Sequence, residues 1–243
     1  MSLSFFSLNI EADRHLDKVS SYLKENMPDV VFLQEVYKIH AEELASKFGY
    51  HVSFVPHVDF NIYEHIFKPL GEWGIATLTK IKPTQVKVDY YSEKPVVIPH
   101  EFMKVLKHPR ALLVTELPYG EGKKYVFANT HFTWALTEDA DIAQYPDYLR
   151  LQELLNQQLD GFVLAGDLNT NRGSRVYREL ASRYIDQLPK SIESTLDPVL
   201  FRKPELKLVV DHLFTTANYL CEDVSIVTGL SDHCGIKANI IKR

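Results

Sequence analysis

Acidic, amide and histidine side chains follow several short apolar runs of the sequence, at the point where each run ends. The residues with this placement are Asn9, Glu11, Glu35, His131, Asp167, Asn169 and Asp211, whereas Asp232 and His233 stand just before the last apolar run. Carboxylate and amide oxygens favour Mg²⁺ or Mn²⁺ over Zn²⁺. Imidazoles beside such a cation take up or release protons near neutral pH. The set as a whole therefore indicates metal-assisted hydrolysis of a phosphate ester.

Taken singly, most of these residues also have a structural explanation. Glu35 alone is typical of an ordinary charge at a strand end. Asp167 and Asn169 alone are typical of turn and capping residues before the predicted helix 174–183. Asp211 is harder to explain in this way, because a carboxylate buried without a partner is costly. The functional interpretation depends on the occurrence of all of them in one chain.

The elements that position these residues alternate early in the chain between extended runs and single helices. Predicted helices cover residues 14–25, 39–48, 148–159 and 174–183, and predicted strands cover residues 3–8, 30–33, 50–55, 74–79, 86–90, 111–117, 125–128, 162–165, 208–210 and 236–241. This order predicts an α/β sandwich of packed mixed sheets flanked by helices. In a mixed sheet, the C-terminal ends of some strands and the N-terminal ends of others share one rim, where the polar residues would meet.

Composition limits the classes of protein to consider. The chain has 243 residues, with 27 Lys and Arg against 32 Asp and Glu, for a net charge of −5. This charge disfavours a general polyanion binder. The apolar runs are far shorter than the ~18 residues of a membrane helix, and the start lacks the basic region of a secretory signal. We therefore expect one domain over residues 1–243, in a cytoplasmic monomer with no transmembrane segment.

Basic and aromatic residues near the polar set are candidates for substrate binding. Arg110 follows Lys104, Lys107 and His108, and Arg172, Arg175 and Arg178 follow the Asp167 motif. Arginine grips phosphate well, so Arg110, Arg172 and Arg175 are predicted to bind substrate. The alternative is that the arginines of the 174–183 helix lie on its solvated face. Phe132, Trp134 and Tyr145 are candidates to stack on a base or to line a small pocket. The alternative is that these three aromatic side chains only pack loops.

With these residues in view, the sequence resembles the endonuclease/exonuclease/phosphatase superfamily, which has the DNase I-like fold. The matching stretches are Leu8-Asn9, Gln34-Glu35, Gly74 to Leu78, Asn129 to His131, Gly166 to Thr170, Val210-Asp211 and Ser231 to His233. They follow the family's order over essentially the whole chain. The resemblance implies a four-layer α/β sandwich, with two central mixed β-sheets flanked by helices.

The resemblance also implies a set of metal ligands. Glu35 would be the principal metal carboxylate, assisted by Asn9 and by Asp232, for Mg²⁺ or alternatively Mn²⁺. Asp167 and Asn169 would orient the attacking water and a phosphate oxygen.

Proton transfer is implied for two histidines. His131 and His233 would flank the scissile phosphate, with their roles as base and acid left open. Asp211 would hydrogen-bond one of them, with His233 favoured. Glu11 falls where some relatives carry an acidic residue near the metal.

The predicted function is that of a metal-dependent phosphodiester hydrolase acting through in-line attack of water, with nucleic acid as one candidate substrate. One alternative is a phosphatase or a phospholipase C-type hydrolase acting on inositol phosphates or sphingomyelin-like headgroups. A second is a non-catalytic relative that serves as a binding module. An unrelated hydrolase with a nucleophilic side chain is disfavoured, because the sequence has neither a G-x-S-x-G elbow nor a P-loop.

Overall fold

Strands and helices follow one another along the chain much as the apolar pattern predicts. The computed structural model describes residues 2–59, 71–92, 109–120, 122–134 and 140–243. In these ranges the helices are α1 (Leu16–Asn26), α2 (Lys38–Phe48), α3 (Ala140–Asn156) and α4 (Arg175–Arg183). The strands are β1 (Ser2–Asn9), β2 (Val30–Tyr37), β3 (His51–Asp59), β4 (Glu72–Thr79), β5 (Gln85–Tyr90), β6 (Ala111–Pro118), β7 (Lys124–Thr130), β8 (Val163–Asp167), β9 (Ile185–Asp186), β10 (Asp211–Thr215), β11 (Tyr219–Val227) and β12 (Gly235–Lys242). Across the described residues, no helix is long and apolar enough to cross a membrane.

The strands form two mixed sheets, and the order of parallel and antiparallel neighbours is the same in both. The first sheet has the order β11-β12-β1-β2-β4-β3, and the second has the order β5-β6-β7-β8-β10-β9. β1 is parallel to β2 in the first sheet, and β7 is parallel to β8 in the second. Every other neighbouring pair of described strands is antiparallel. The chain between the parallel strands contains α1 in one sheet and α3 in the other, as a parallel connection requires.

Three apolar layers hold the sandwich together. Between the sheets, the ring of Phe5 packs edge-on to Phe32 and parallel to Phe127. On the outer face of the first sheet, α1 and α2 bury Val19, Leu23, Ala41 and Leu44. On the outer face of the second sheet, α3 and α4 bury Tyr148, Leu151, Val176 and Leu180. The predicted α/β sandwich with two central mixed sheets and flanking helices is therefore confirmed.

Local sequence explains where helices begin and end. α4 begins after Ser174, whose hydroxyl oxygen accepts the backbone N–H of Tyr177. α2 ends at Gly49, which has a φ of +71° that glycine adopts without strain. α3 begins eight residues before its predicted start at residue 148, because Pro146 is accommodated inside the helix rather than ending it.

Strand prediction was wrong in one segment beside the polar rim. Residues 208–210 were predicted as a strand, but β10 begins only at Asp211. The N–H of Val210 and the N–H of Asp211 both donate to the Thr195 hydroxyl, each at 3.0 Å. A side chain thus replaces the strand ladder there. The prediction also missed β9 and β11.

A chain of buried amides crosses between the two sheets just below the rim. Gln34 Nε2 on β2 donates to Asn129 Oδ1 on β7 at 2.8 Å, and Asn129 Nδ2 donates to the carbonyl of Ala76 on β4 at 2.8 Å. Hydrogen bonds of this kind specify one arrangement, because a buried amide without partners is costly. The network therefore fixes how the parallel pairs of the two sheets sit against each other.

Gly166 allows β7 and β8 to approach closely at the same level. Its φ is +138°, and a Cβ on this residue would lie 1.9 Å from the carbonyl oxygen of Thr130. That overlap is with backbone, which cannot move away as the end of a side chain could. Only glycine fits here, one residue before Asp167.

Replacing Gly166 with alanine is expected to lower the free energy of unfolding by more than about 3 kcal/mol, because strain and overlap act together. Gly49→Ala is the matched control, since its φ is also positive but a Cβ there meets nothing within 4 Å. The control should lose about 1 kcal/mol. Urea denaturation measures both variants. Equal losses in the two would contradict the close approach described here.

Candidate active site

Strand ends from both sheets meet at one rim of the sandwich. Asn9 is the last residue of β1, Asp167 is the last residue of β8, and His131 directly follows β7. From the opposite direction, Asp211 begins β10 and His233 lies two residues before β12. The strand directions thus bring together polar residues that are far apart in sequence.

Glu35 reaches this rim through an irregularity in β2. The register of β2 against β4 shifts between Leu33 and Val36, and Glu35 has a φ of +54°. A bulge of this kind redirects a side chain that strict alternation would place elsewhere. The preceding side chain, Gln34, lies between the sheets, whereas Glu35 contacts the rim residues. The N–H of Ala12 donates to the Glu35 carbonyl at 2.9 Å and holds the bulge.

Two carboxylates and two imidazoles gather around Asn9. Asn9 Nδ2 donates to Glu35 Oε1 at 3.1 Å and to Asp167 Oδ2 at 3.0 Å. His131 Nε2 lies 3.9 Å from Glu35 Oε1 and 3.5 Å from Asp167 Oδ2. His233 Nε2 lies 3.9 Å from the same Asp167 oxygen. Both imidazoles are therefore close enough to touch one small ligand.

Asp211 and His233 form a hydrogen-bonded pair. His233 Nδ1 lies 2.8 Å from Asp211 Oδ2, which is the contact that the family resemblance implied. Burial by itself lowers the pKa of His233, but the charges of Asp211 and Asp167 outweigh it and hold that pKa well above its ordinary value. At neutral pH His233 therefore carries a proton on each nitrogen, with Nε2 on the side of Asp167.

The carboxylates of the site resist ionisation. Burial raises the pKa of Asp167 to about 7, with a contribution from Asp211, although the charge of His233 opposes the rise. Burial also raises the pKa of Glu35 and the pKa of Asp232, and the negative charge of Asp232 adds to the effect on Glu35. Burial is the main cause of all three raised pKa values, and the crowding of negative charge adds to it. A bound divalent cation would stabilise the ionised forms of these groups.

The donor atoms fit a metal ion of the hard type. Glu35, His131 and Asp167 offer ligand atoms that all lie within 4.8 Å of one another. Asp167, Asp211 and His233 form a second such group, but there the Asp211–His233 hydrogen bond already uses the facing atoms. The first group, with its two carboxylates, suits Mg²⁺ or Mn²⁺.

The other two predicted metal ligands stand differently. Asn9 presents Nδ2 to the carboxylates, while its Oδ1 accepts the N–H of Glu11 at 3.1 Å. Coordination by Asn9 would require its amide to turn over, with loss of that bond. Asp232 lines the same cleft as Glu35 but lies outside both groups of ligand atoms found among the described residues. Glu35 and Asp167 are therefore the two carboxylates that share both the Asn9 hydrogen bonds and the first group of candidate ligand atoms.

Asn169 stabilises the orientation of Asp167. Its φ is +47°, and its backbone N–H donates to Asp167 Oδ1 at 2.9 Å. The Asn169 side chain donates to the carbonyl of Phe132 at 3.0 Å. These contacts hold Asp167 Oδ1 on the loop side and leave Oδ2 facing the imidazoles.

Arg110 lies behind His131 instead of in the open cleft. The side chain is buried, and Nη1 donates to the His131 carbonyl at 3.3 Å. Its positive charge lowers the pKa of Glu35, and the negative charges of Asp167 and Glu35 act on it in return. These contacts favour an electrostatic role over direct substrate binding. Lys104, Lys107 and His108, the neighbouring basic residues, lie outside the described residues.

Arg172 and Arg175, which were predicted to bind substrate, have their contacts with other parts of the protein. Arg172 donates to Asp186 Oδ2 at 3.1 Å and to three backbone carbonyls of the segment after β9. These bonds assign Arg172 to that segment, in place of a substrate phosphate. The guanidinium carbon of Arg175 lies 3.5 Å from the centre of the Tyr145 ring, on the exposed side of α4. Tyr145 thus packs an arginine, and Phe132 is buried in the core of the second sheet.

Glu11 is held by two arginines and a histidine at the edge of the cleft. Its carboxylate contacts Arg14, His15 and Arg202, the last at 3.3 Å. Glu11 and Ala12 both have positive φ, +50° and +65°, which is unusual for residues with a Cβ. This strained turn directs Glu11 toward the arginines. Glu11 belongs to neither group of candidate metal ligands in the described ranges.

Several residues of the site carried no signal in the sequence. The rings of Trp73 and His57 each lie 6.1 Å from the ring of His131, centre to centre, and both are buried. They come from β4 and β3, whose contact with His131 depends on the packing of one sheet on the other. The Gly74 motif beside Trp73 was the one available hint.

Asp167→Asn is expected to stabilise the metal-free protein at alkaline pH. The folded-state pKa of Asp167 is about 7, above the value of about 3.9 for an unfolded aspartate. Stability from this group is therefore present below pH ~4 and lost as the pH rises through 7. In EDTA, the melting temperature of Asp167→Asn should exceed that of the parent by several degrees at pH 8, and by less at pH 5.5.

Asp13→Asn is the control for this experiment, since Asp13 is exposed and its replacement should leave the melting temperature unchanged. A lower melting temperature for Asp167→Asn than for the parent at pH 8 in EDTA would contradict the crowding of negative charge.

Comparison with known proteins agrees with this geometry. The family model described as the Endonuclease/Exonuclease/phosphatase family matches residues 6–233. No curated protein gives a significant match. An endonuclease/exonuclease/phosphatase from Bacteroides vulgatus has a TM-score of 0.75 at 18% identity, with 100% of both chains covered.

Two further solved structures share the fold. The human Nocturnin catalytic domain with bound sulfate has a TM-score of 0.71 at 17% identity, covering 100% of this chain and 94% of that one. A mannosyl-6-phosphatase from Bacteroides thetaiotaomicron has a TM-score of 0.71 at 16% identity, covering 98% and 99%. The fold matches those of the structural neighbours, and the family match spans nearly all of the sequence; the chain belongs to the endonuclease/exonuclease/phosphatase family.

Proposed function

We propose that the protein is a divalent-metal-dependent phosphoesterase that hydrolyses its substrate by in-line attack of water. The observation that carries this proposal is the convergence of Glu35, His131 and Asp167, whose ligand atoms lie within 4.8 Å of one another. His233 Nε2 lies 3.9 Å from the same Asp167 oxygen. Family membership and the phosphatase activity named for the Bacteroides thetaiotaomicron neighbour agree with ester hydrolysis.

Glu35 and Asp167 would hold Mg²⁺ or Mn²⁺, with Asn9 completing the set if its amide turns. When bound, the ion supplies positive charge that stabilises the phosphoryl oxygens. The buried guanidinium of Arg110 adds to this field from behind His131.

Asp167 is suited to orient the attacking water. An ionised carboxylate has only acceptor atoms and can hold a water molecule by accepting its hydrogen bonds. The N–H of Asn169 fixes the rotation of this carboxylate through a 2.9 Å bond. Bound metal will lower the Asp167 pKa and favour its ionised form.

His233 is suited to hold a proton beside Asp167, because its Nε2 lies 3.9 Å from Asp167 Oδ2. Its bond to Asp211 fixes the ring and supports the positive charge. Nε2–H can then donate to a phosphoryl oxygen or to the departing alkoxide. His131, 3.5 Å from Asp167 Oδ2, contributes a second ring nitrogen to the same space.

Glu35→Gln is expected to reduce phosphoester turnover by at least about 10³-fold, because it removes an anion from the cation site. The fold should persist, and the rise in melting temperature that saturating Mg²⁺ gives the parent, worth about 2.7 kcal/mol at 100 times Kd, should disappear. Substrates are plasmid DNA, single-stranded oligonucleotides, sphingomyelin, inositol phosphates and bis(4-nitrophenyl) phosphate, each with Mg²⁺ or EDTA.

Glu153→Gln is the control, because Glu153 is exposed on α3. It should retain turnover and the Mg²⁺ effect. Normal turnover by Glu35→Gln, or turnover by the parent in EDTA, would refute the assignment.

Asp211→Asn is expected to move the high-pH limit of activity to lower pH by about one unit or more, because the Asp211 charge raises the pKa of His233. Asp232 also raises that pKa but is the weakest of the contributors named for it, so Asp232→Asn should move the limit less. The measurement is kcat against pH. An unchanged limit in Asp211→Asn would show that protonated His233 is not required.

A further inference from the structure

The segment between β9 and β10, residues 187–210, is irregular but firmly attached. Asp197 is buried, and its Oδ1 and Oδ2 accept backbone N–H groups of Val199, Leu200 and Gly229. Arg172 binds its first residues, as described above. Leu196 forms an isolated bridge with His233. Long irregular segments held in this way are commonly functional.

This segment forms one wall of the cleft that contains the candidate site. The cleft has a volume of about 690 Å³, and its polar floor includes Glu35, Asp232 and His233. The wall is apolar and consists of Leu196, Phe201, Leu206, Leu208 and Val210, joined by Trp134. Trp134 and Leu206 are each 39% exposed and line the same cleft, so they belong to one contiguous apolar surface. The volume is that of a small-molecule site.

Positive charge lies at the edge of the same wall. Arg202 and Lys203 line the cleft, and Arg202 also pairs with Glu11. Lys203 forms no ion pair with any residue in the described ranges. The cleft therefore passes from the carboxylates and His233 of its floor to leucine and aromatic side chains edged by cations. An anionic group attached to an apolar one matches this order.

We propose that the wall of residues 196–210 binds the alcohol portion of the phosphoester, and that this portion is aromatic or otherwise planar and apolar. The inference rests on the proposed function, because it takes the floor of the cleft as the place of the phosphate. Polyhydroxylated alcohols such as sugars are disfavoured, since their hydroxyl groups would lose water against leucine side chains without gaining hydrogen bonds. Continuity with the catalytic floor favours a substrate over any other occupant.

The test compares esters that differ in apolar area but have leaving groups of similar acidity. The parent protein with Mg²⁺ is assayed on phenyl and 2-naphthyl phosphates, as monoesters and as their methyl diesters. In whichever series is hydrolysed, kcat/KM for naphthyl should exceed that for phenyl by about tenfold, the usual effect of a modest extra apolar contact.

Variants of the wall assign the preference to these residues. Leu206→Ala and Trp134→Ala should each reduce the naphthyl preference to about threefold, mainly through KM, because ground state and transition state lose the same contact. Val199→Ala is the matched control, since Val199 is on the same segment, is 82% exposed and does not line the cleft. It should keep the full preference. Binding of 2-naphthylmethylphosphonate, measured by titration calorimetry, should weaken in the same two variants.

The outcomes separate the two proposals. Hydrolysis of both aryl esters with equal efficiency, or an equal effect of Val199→Ala, overturns the inference about the wall and leaves the phosphoesterase proposal standing. Absence of hydrolysis for every phosphoester tested overturns the proposed function itself.

Discussion

One buried carboxylate oxygen, Oδ2 of Asp167, is the common contact of the candidate site. Asn9, His131 and His233 approach it from three other strand ends, at 3.0, 3.5 and 3.9 Å. A charge buried in this way is stable only if the groups around it stay in place. Gly166 makes the position possible, because no other residue lets β8 pass so close to β7. Gly166 thus fixes where Asp167 lies, and the charge of Asp167 adds to that of Asp211 in raising the pKa of His233.

The two sheets contribute to this contact in an equivalent way. Each has one parallel pair of strands, and each pair ends at the rim with polar side chains, Asn9 and Glu35 in the first sheet and His131 and Asp167 in the second. Asp211 and His233 arrive from the opposite direction. Each group of candidate ligand atoms found among the described residues draws on both sheets, so these groups form only in the packed sandwich. Burial of charge there reduces stability, a cost commonly found at functional sites.

Prediction from sequence worked where a local pattern decides the structure. Apolar runs ending in polar residues located the ends of β1, β7 and β8, and with them Asn9, His131 and Asp167. It failed where contacts distant in sequence decide. Residues 208–210 have the apolar pattern of a strand, yet the Thr195 hydroxyl takes the N–H groups that a neighbouring strand would have bonded.

Distant contacts also explain the other differences between sequence and structure. Arg172 is of a residue type that commonly binds phosphate, but its hydrogen bonds go to backbone carbonyls that no local sequence pattern predicts. The buried amides that join the two sheets below the rim are also contacts between residues distant in sequence, and they limit how the sheets can move. If one sheet slid along the other by a single residue step of about 3.3 Å, the hydrogen bond between Gln34 and Asn129 would break. The same step would move Glu35 away from Asp167. The amide hydrogen bonds therefore oppose sliding of the sheets at the level where the candidate site is arranged.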